Sequence, residues 1–405
     1  MNTSFRAIQS LDVLLDKRKI GTIVRSPVYA FSFTQDYRAD GGSPILSLSF
    51  LSASGELGRD PKPLAGILPA FFANLLPEGK LREVMEKYHK GNVRRRNDFD
   101  LLAALGADMS GAVQVLPSDG PVMNEMPATR FSIAGMQMKL SVARQRGEGG
   151  FTLPMDGEPG NYIAKFPPEA FPGVSENEFA NLALAAAIGM DVPDRELVER
   201  SDLKNIPDEF NTHSGGPLLL VRRFDRGVGG QRIHIEDFAQ VFGVQPSRKY
   251  DGAAFHQIAA TLNEAVSPHA ALEFVRRLAL AALTGNGDMH LKNWSLIYPG
   301  DGHRPALAPI YDVLSTIPYI PTDAMALSLG RERAFKGLTA SRWKAFANRA
   351  RLSESAVLKA VVETVERVNQ RWWHLPERDI VPAMILKRID EQVKVMTPIL
   401  GTCAR

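Results

Sequence analysis

The sequence predicts an α+β chain in three parts, on three observations. Short alternating or continuous apolar runs crowd the first 52 positions, as paired strands do. A stretch rich in Ser, Asp, Gly and Pro, Ser118 to Pro127, then interrupts the pattern as a linker does. Beyond residue 229 the periodicity becomes helical, and its most apolar run, Ala270 to Leu283, stops at Gly285. The expected parts are residues 1–120, 128–228 and 229–405.

In the first part, strands are expected at Leu11–Asp16, Lys19–Val24, Tyr29–Phe33 and Ile45–Phe50. Leu64, Leu68, Phe71, Phe72, Leu75 and Leu76 follow helical spacing until Pro77-Glu-Gly79 breaks it, and a second helix runs from Leu81 to His89. Lys90 to Asn97 is a basic loop with Arg94, Arg95 and Arg96, usually a solvated surface. A short helix, Phe99–Leu105, and a strand, Gly111–Leu116, complete a small α+β module with no catalytic constellation of its own.

The 405 residues are enough for two or three domains, and 44% hydrophobic with 23% charged residues is ordinary for a soluble globular protein. A net charge of +3 makes no electrostatic case for nucleic-acid binding. The single cysteine, Cys403, rules out an internal disulfide or cysteine-based zinc site and suggests a reducing compartment. The N-terminus lacks a signal-peptide apolar core, and no apolar run approaches the length that crosses a bilayer, so a cytoplasmic protein without a membrane partner is expected. His234, His256, His269 and His303 are scattered without metal-ligand spacing.

The second part opens with two strands around a loop, Phe131 to Ser141. Gly135 lets backbone amides approach a phosphate and Lys139 is placed to add charge, although one glycine between strands also makes an ordinary turn. Asn161 to Phe166 is an apolar strand with a central Lys165, which needs an anion or an escape to solvent. Ser175 and Glu178 form an S-x-x-E capping box at the start of a helix ending at Gly189. Glu178 is read either as that cap or as an acid orienting Lys165 toward phosphate. A strand begins at Glu196–Glu199, and Pro217 to Asp225 is a buried strand that leaves the core at a polar end.

In the third part, helices are expected at Ile235–Val241 and Ala254–Ala260 with Tyr250-Asp-Gly252 as a turn between them. After Gly285 comes a loop bearing Asn286, Asp288, His290, Lys292 and Asn293, then a strand, Trp294–Tyr298, and an isolated acid, Asp312, after Tyr311. Asp288 and Asn293 stand as D-x-x-x-x-N. Phosphoryl transfer uses this set: one carboxylate faces the attacking hydroxyl, while an amide and a second carboxylate hold metal ions on the phosphates. The plainer reading is a helix-to-strand loop with turn residues. Ala324–Leu329 is strand-like, and Ser341–Ala350, Ser353–Val368 and Ile380–Met396 are amphipathic helices, with Trp372 and Trp373 packed between the last two.

The order of these features resembles the HipA family of bacterial serine/threonine kinases, the toxins of HipBA toxin–antitoxin pairs, over nearly the whole chain. Asn74 to Glu78, Phe99 to Leu102 and Gly111 to Val113 look like its N-terminal subdomain. Ser132 to Lys139 matches its S-x-x-G-x-Q-x-K loop, and Arg223-Phe-Asp-Arg226, Phe242-Gly243, Asn286 to Asn293 and Tyr311-Asp312 match further signatures. The resemblance implies a two-lobed, protein-kinase-like fold with an added N-terminal α+β subdomain and an all-helical C-terminal lobe. It implies ATP and magnesium as cofactors. Asp288 would be the catalytic acid facing the substrate hydroxyl, His290 its support, and Lys292 a phosphate contact. Asn293 and Asp312 would be magnesium ligands. Ala134, Gly135, Met136, Gln137, Met138 and Lys139 would cover the phosphates, Lys165 would contact them, and Arg222, Arg223 and Phe224 would present hinge backbone to adenine. Leu291 and Tyr311 belong to the same nucleotide-binding set.

Ser132 falls at the family's autophosphorylation serine, where an added phosphate would expel the loop from the ATP site. The structural alternative is a strand serine. The implied partners are a HipB-like helix-turn-helix antitoxin, operator DNA mainly through that antitoxin, and a protein substrate, an aminoacyl-tRNA synthetase such as glutamyl-tRNA synthetase. Arg222 departs from the glutamate of the best-known members. A small-molecule or lipid kinase of the same fold, and a mainly non-catalytic co-repressor, are the competing readings.

Overall fold

The computed structural model describes residues 8–25, 27–88, 97–119, 138–145, 150–154, 160–206, 210 and 216–404. Strands β1 (Ser10–Leu15), β2 (Arg18–Arg25) and β3 (Tyr29–Phe33) form an antiparallel meander, and β4 (Val113–Pro117) returns to pair with β1. Alternation puts Leu11, Val13 and Leu15 into a core with residues from α2 (Ala70–Ala73), α3 (Gly79–Tyr88) and α4 (Asp98–Leu105). A one-turn helix, α1 (Gln35–Ala39), follows β3 and is capped by the Thr34 hydroxyl.

A second, six-stranded sheet has the order β8-β10-β7-β5-β6-β9. Its strands are β5 (Lys139–Arg144), β6 (Phe151–Thr152), β7 (Tyr162–Lys165), β8 (Arg195–Val198), β9 (Leu203–Lys204) and β10 (Leu218–Arg222). Helix α5 (Val174–Ala187) lies against β8 and β10. Strand β10 is buried on both faces. Leu218 and Leu220 join the core of the N-terminal module, while Leu219 and Val221 join the core of the helical lobe.

The remaining chain carries α6 (Phe238–Val241), α7 (Phe255–Ala265), α8 (Pro268–Thr284), α9 (Ala340–Arg349), α10 (Glu354–Arg371) and α11 (Ala383–Gly401). This lobe, expected to be all helical, is helical in bulk and adds one small sheet of β11 (His234–Asp237), β12 (Ser295–Tyr298) and β13 (Ala306–Leu307). Helix α8 starts at Ser267, whose hydroxyl accepts the Ala270 N–H, and ends at Gly285 with φ 72°. A side chain at Gly285 would lie 2.7 Å from Ile317, so the turn into the following loop requires glycine twice over.

Several local expectations are corrected. Ile45–Phe50 is no strand: Ser47 caps a 3-10 turn at Leu48–Phe50. The helical spacing from Leu64 yields only α2, because Leu64 and Ile67 close a tight turn through Gly66 and Pro69 precedes the first helical residue. Ile235–Asp237 is strand, and the helix begins at Phe238 behind an Asp237–Gln240 capping box. Ala324–Leu329 is no strand: Leu329 makes an isolated bridge with Glu332, and the Met325 N–H donates to the Arg333 carbonyl at 2.8 Å. The box read at Ser175 does not form: α5 already starts at Val174, and the Ser175 hydroxyl has no hydrogen-bond partner among the described residues. Residues 90–96 of the basic loop and 120–127 of the linker lie outside the described residues.

Two buried junctions fasten the N-terminal module to the rest. In one, Asp225 accepts from Arg223 Nε at 2.9 Å, Arg226 Nη1 at 2.8 Å and the Gly111 N–H at 2.8 Å, while Arg226 also reaches Asp108 at 3.0 Å. Burial opposes the Asp225 charge, but Arg223 and Arg226 outweigh it and hold the carboxyl far below its usual range. In the other, the Glu236 carboxyl accepts from the Ser47 and Tyr298 hydroxyls and from the Leu48 N–H at 3.0 Å. Burial pushes Glu236 up to about 7 from 4.5.

The folded state therefore keeps the Glu236 proton where the unfolded chain releases it, and this group costs stability as pH rises from 4.5 to about 7. The full cost is roughly 3 kcal/mol. His234 beside it, pushed down to about 4 by burial, has the opposite slope. Glu236→Gln is therefore expected to gain about 2 kcal/mol relative to the parent between about pH 5 and about pH 7.5. Urea denaturation of both proteins at the two pH values measures it, and a constant difference would remove the assignment.

Candidate active site

The inner face of the six-stranded sheet is polar by alternation. Leu140, Val142 and Ala164 point into the core, so Lys139, Ile163 and Lys165 face the cleft between sheet and helical lobe. Lys165 meets Glu178 of α5 at 2.5 Å and, on its other side, Asp312. Two carboxylates share one buried ammonium. Burial opposes the charge of Lys165, yet Asp312 and Glu178 overcome it and hold the lysine charged. Asp312 is likewise held ionised against burial by Lys165 and Lys139, whereas burial, seconded by the Asp312 charge, raises Glu178. Burial lowers Lys139, against the charges of the same two acids. Asp312 adopts φ 53°, a left-handed backbone conformation that Asp tolerates better than most residues.

The loop after α8 folds onto itself. The Asp288 N–H donates to Asn286 Oδ1 at 3.0 Å, and Asn293 Nδ2 donates to the Asp288 carbonyl at 2.8 Å. His290 accepts the Lys292 N–H at Nδ1, at 3.3 Å, and its ring stands edge-on to Tyr250 at 4.9 Å. Burial and then the charges of Lys249 and Lys292 push His290 down to about 3, so it is neutral. The Asp288 carboxylate accepts the Tyr250 hydroxyl at 2.6 Å. Burial pushes Asp288 up to about 6, against that donor.

The sequence reading missed two groups here. Glu78 crosses from the N-terminal module to Lys292 at 2.5 Å and Lys249 at 3.0 Å. Burial opposes its charge, but the two lysines hold its carboxyl below the usual range. Tyr250 is the other. Both sit in segments, Pro77-Glu-Gly79 and Tyr250-Asp-Gly252, that read locally as turns, and only the resemblance of Asn74–Glu78 to a family segment singled either one out.

Lys139, Lys165, Glu178, Asp288, His290, Lys292, Asn293, Tyr311 and Asp312 all line one cleft, together with Arg222, Arg223 and Phe224. Other expected residues fall elsewhere. Met138 and Leu291 are buried in the two cores. The Arg223 guanidinium is committed to Asp225 and Ser141, and Arg222 pairs with Asp194 at 3.2 Å near the surface. The Arg222 and Arg223 N–H groups already donate to the carbonyls of Asp194 and Asn161, each at 2.8 Å. Adenine therefore cannot draw on those two donors. Ser132 and Ala134 to Gln137 lie outside the described residues.

No group of three or more His, Cys, Asp or Glu side chains that could hold a metal occurs among the described residues. A magnesium ion needs fewer protein ligands, since it keeps waters and shares substrate phosphates. The Asn293 amide nitrogen is spent on the Asp288 carbonyl, and its amide oxygen and the Asp312 carboxylate, from two residues lining the same cleft, are hard donors of the kind magnesium takes.

The family model described as HipA-like C-terminal domain matches residues 131–372, and that of the HipA N-terminal domain matches residues 11–116. The Sinorhizobium fredii protein Y4dM, a kinase in name, is 41% identical over 376 residues, covering 89% of this chain and 91% of its own. The serine/threonine-protein kinase toxin HipA of Shewanella oneidensis is 26% identical over 391 residues, covering 84% of this chain and 83% of its own. The solved complex of Shewanella oneidensis HipA, HipB and operator DNA contains a chain with TM-score 0.75 at 22% identity, over 97% of this chain and 98% of that one, so the fold is shared. Two family models in order along the chain, and a relative alike over nine-tenths of it, place this protein in the HipA family of kinases.

Proposed function

We infer that the protein is an ATP- and magnesium-dependent serine/threonine protein kinase acting as the toxin of a toxin–antitoxin pair in the cytosol. The observation that carries this is the convergence of Lys165, Glu178 and Asp312 on one side of the cleft with Asp288 and Asn293 on the other. In this reading Lys139 and Lys165 hold nucleotide phosphates, and Asn293 and Asp312 hold magnesium, which supplies charge neutralisation on those phosphates. Asp288 takes the acceptor hydroxyl. Its carboxylate is held by Tyr250, and Lys292, fixed by Glu78, adds positive charge nearby. Little covalent chemistry is asked of the protein beyond this positioning.

A HipB-like antitoxin and, through it, operator DNA are the proposed partners, because the Shewanella HipA of the same fold was solved with both. The proposed acceptor is a serine or threonine of an aminoacyl-tRNA synthetase, with Ser132 as the self-limiting autophosphorylation site.

Incubation of the purified chain with magnesium and γ-labelled ATP tests the reading. Label is expected on the chain itself and to be lost in Ser132→Ala, with transfer to the synthetase retained. Label confined to small molecules would replace it with a small-molecule kinase, and no turnover would leave only a co-repressor role.

A further inference from the structure

Glu178 can steady Lys165 only while α5 stays pressed toward the cleft, and in kinases the placement of that helix is commonly what regulation controls. The residue before Glu178 shows how it is kept there. Asn177 is wholly buried. Its amide oxygen accepts the Ser315 N–H at 3.0 Å, and its amide nitrogen donates to the Ser315 carbonyl at 2.8 Å. That is a two-bond pairing of the kind one strand makes with another, written by a side chain. The rest of the amide is also used. Asn181 Nδ2 donates to Asn177 Oδ1 at 2.9 Å, and the Tyr319 hydroxyl lies 3.4 Å from Asn177 Nδ2. All the donors and acceptors of a buried asparagine amide are thereby engaged.

Ser315 is three residues past Asp312. A closed circuit results: Asn177 to Ser315, along the chain to Asp312, from Asp312 to Lys165, and from Lys165 to Glu178 beside Asn177. The segment after Asp312 is fastened on its far side too. The Thr316 hydroxyl accepts the Gly287 N–H at 2.8 Å and donates to Asp323, and the Thr316 N–H donates to the Gly285 carbonyl at 2.9 Å. The pairing reads only the backbone of Ser315.

We propose that Asn177 is a positioning residue: its backbone clamp on Ser315 locks α5 in the state that pairs Glu178 with Lys165. The lysine is then in place without any modification of the segment following Asp312. This rests on the kinase reading above and adds that the Lys165–Glu178 pair is held assembled by the fold itself.

The test is steady-state phosphoryl transfer by the full chain in a double-mutant cycle. Glu178→Gln is expected to lower kcat in the parent. Asn177→Ala is expected to lower it by up to about a hundredfold, the order a small misplacement of a reacting group costs. In the Asn177→Ala background, Glu178→Gln should cost less than about twofold more, because the pair is already lost. Asn177→Asp, which keeps the acceptor for the Ser315 N–H and loses the donor to its carbonyl, supplies the same cycle should Asn177→Ala fail to fold. Asn369→Ala removes a side-chain contact between α10 and α11, to Thr397, and serves as the stability control, with kcat expected within about twofold of the parent. Glu178→Gln costing as much with Asn177 replaced as without it overturns the clamp. A parent that transfers no phosphate overturns the kinase reading instead, and the clamp with it.

Discussion

Asp288→Asn is expected to slow phosphoryl transfer about a thousandfold while leaving nucleotide affinity within about threefold. The substitution is nearly isosteric. Its amide oxygen can still accept the Tyr250 hydroxyl, and the loop contacts through the Asp288 N–H and carbonyl involve only main chain. What disappears is the ability to take a proton from the acceptor. Because burial pushes Asp288 up to about 6, the parent rate should also fall as pH drops through that value, since the base must be ionised to act. Rapid-quench transfer with labelled ATP, beside calorimetric titration of nucleotide, separates the two quantities. A variant that keeps its rate would remove Asp288 from the chemistry.

Asp225→Ala should cost about 3–5 kcal/mol of stability, more than any surface change in this chain. The carboxylate sits between Arg223 and Arg226 and receives the Gly111 N–H. Removing it strands two buried guanidinium groups, with Asp108 left as the neighbouring acid and a backbone amide unpaired. Burial, and then the neighbouring Arg223 charge, already push Arg226 down to about 10 with Asp225 in place. Urea denaturation measures the loss. A change under about 1 kcal/mol would mean that the junction relaxes and lets water in.

The parts of this structure legible in the sequence are those written in local pattern. The alternation of β1 to β3, the apolar girth of α8 and the glycine that ends it follow from neighbours in the chain. Asp288, Asn293 and Asp312 were singled out because phosphoryl transfer demands those groups in that order, and the structure brings all three to one cleft. Elements set by distant contacts were not. Leu48–Phe50 turns rather than extends because Glu236, far along the chain, takes its leading N–H. Glu178 looked equally like a cap or a lysine partner until the start of α5 at Val174 removed the cap. Arg222, Arg223 and Phe224 were read for what their backbone offers adenine, whereas the charged side chains of Arg223 to Arg226 spend themselves on one another and on the N-terminal module. Glu78 and Tyr250 act through space on a loop more than 30 residues away, which no local pattern encodes.

The doubly buried strand β10 and the Asp225 junction at its end bear on how nucleotide comes and goes. The segment that follows β10 is tied to the N-terminal module by Asp108 and the Gly111 main chain, so drawing that module away from the cleft means breaking buried bonds. Any opening of the cleft on that side and unfolding thus draw on the same bonds. A bound nucleotide would shield the junction by mass action, and a weakened junction would shorten the time a nucleotide stays.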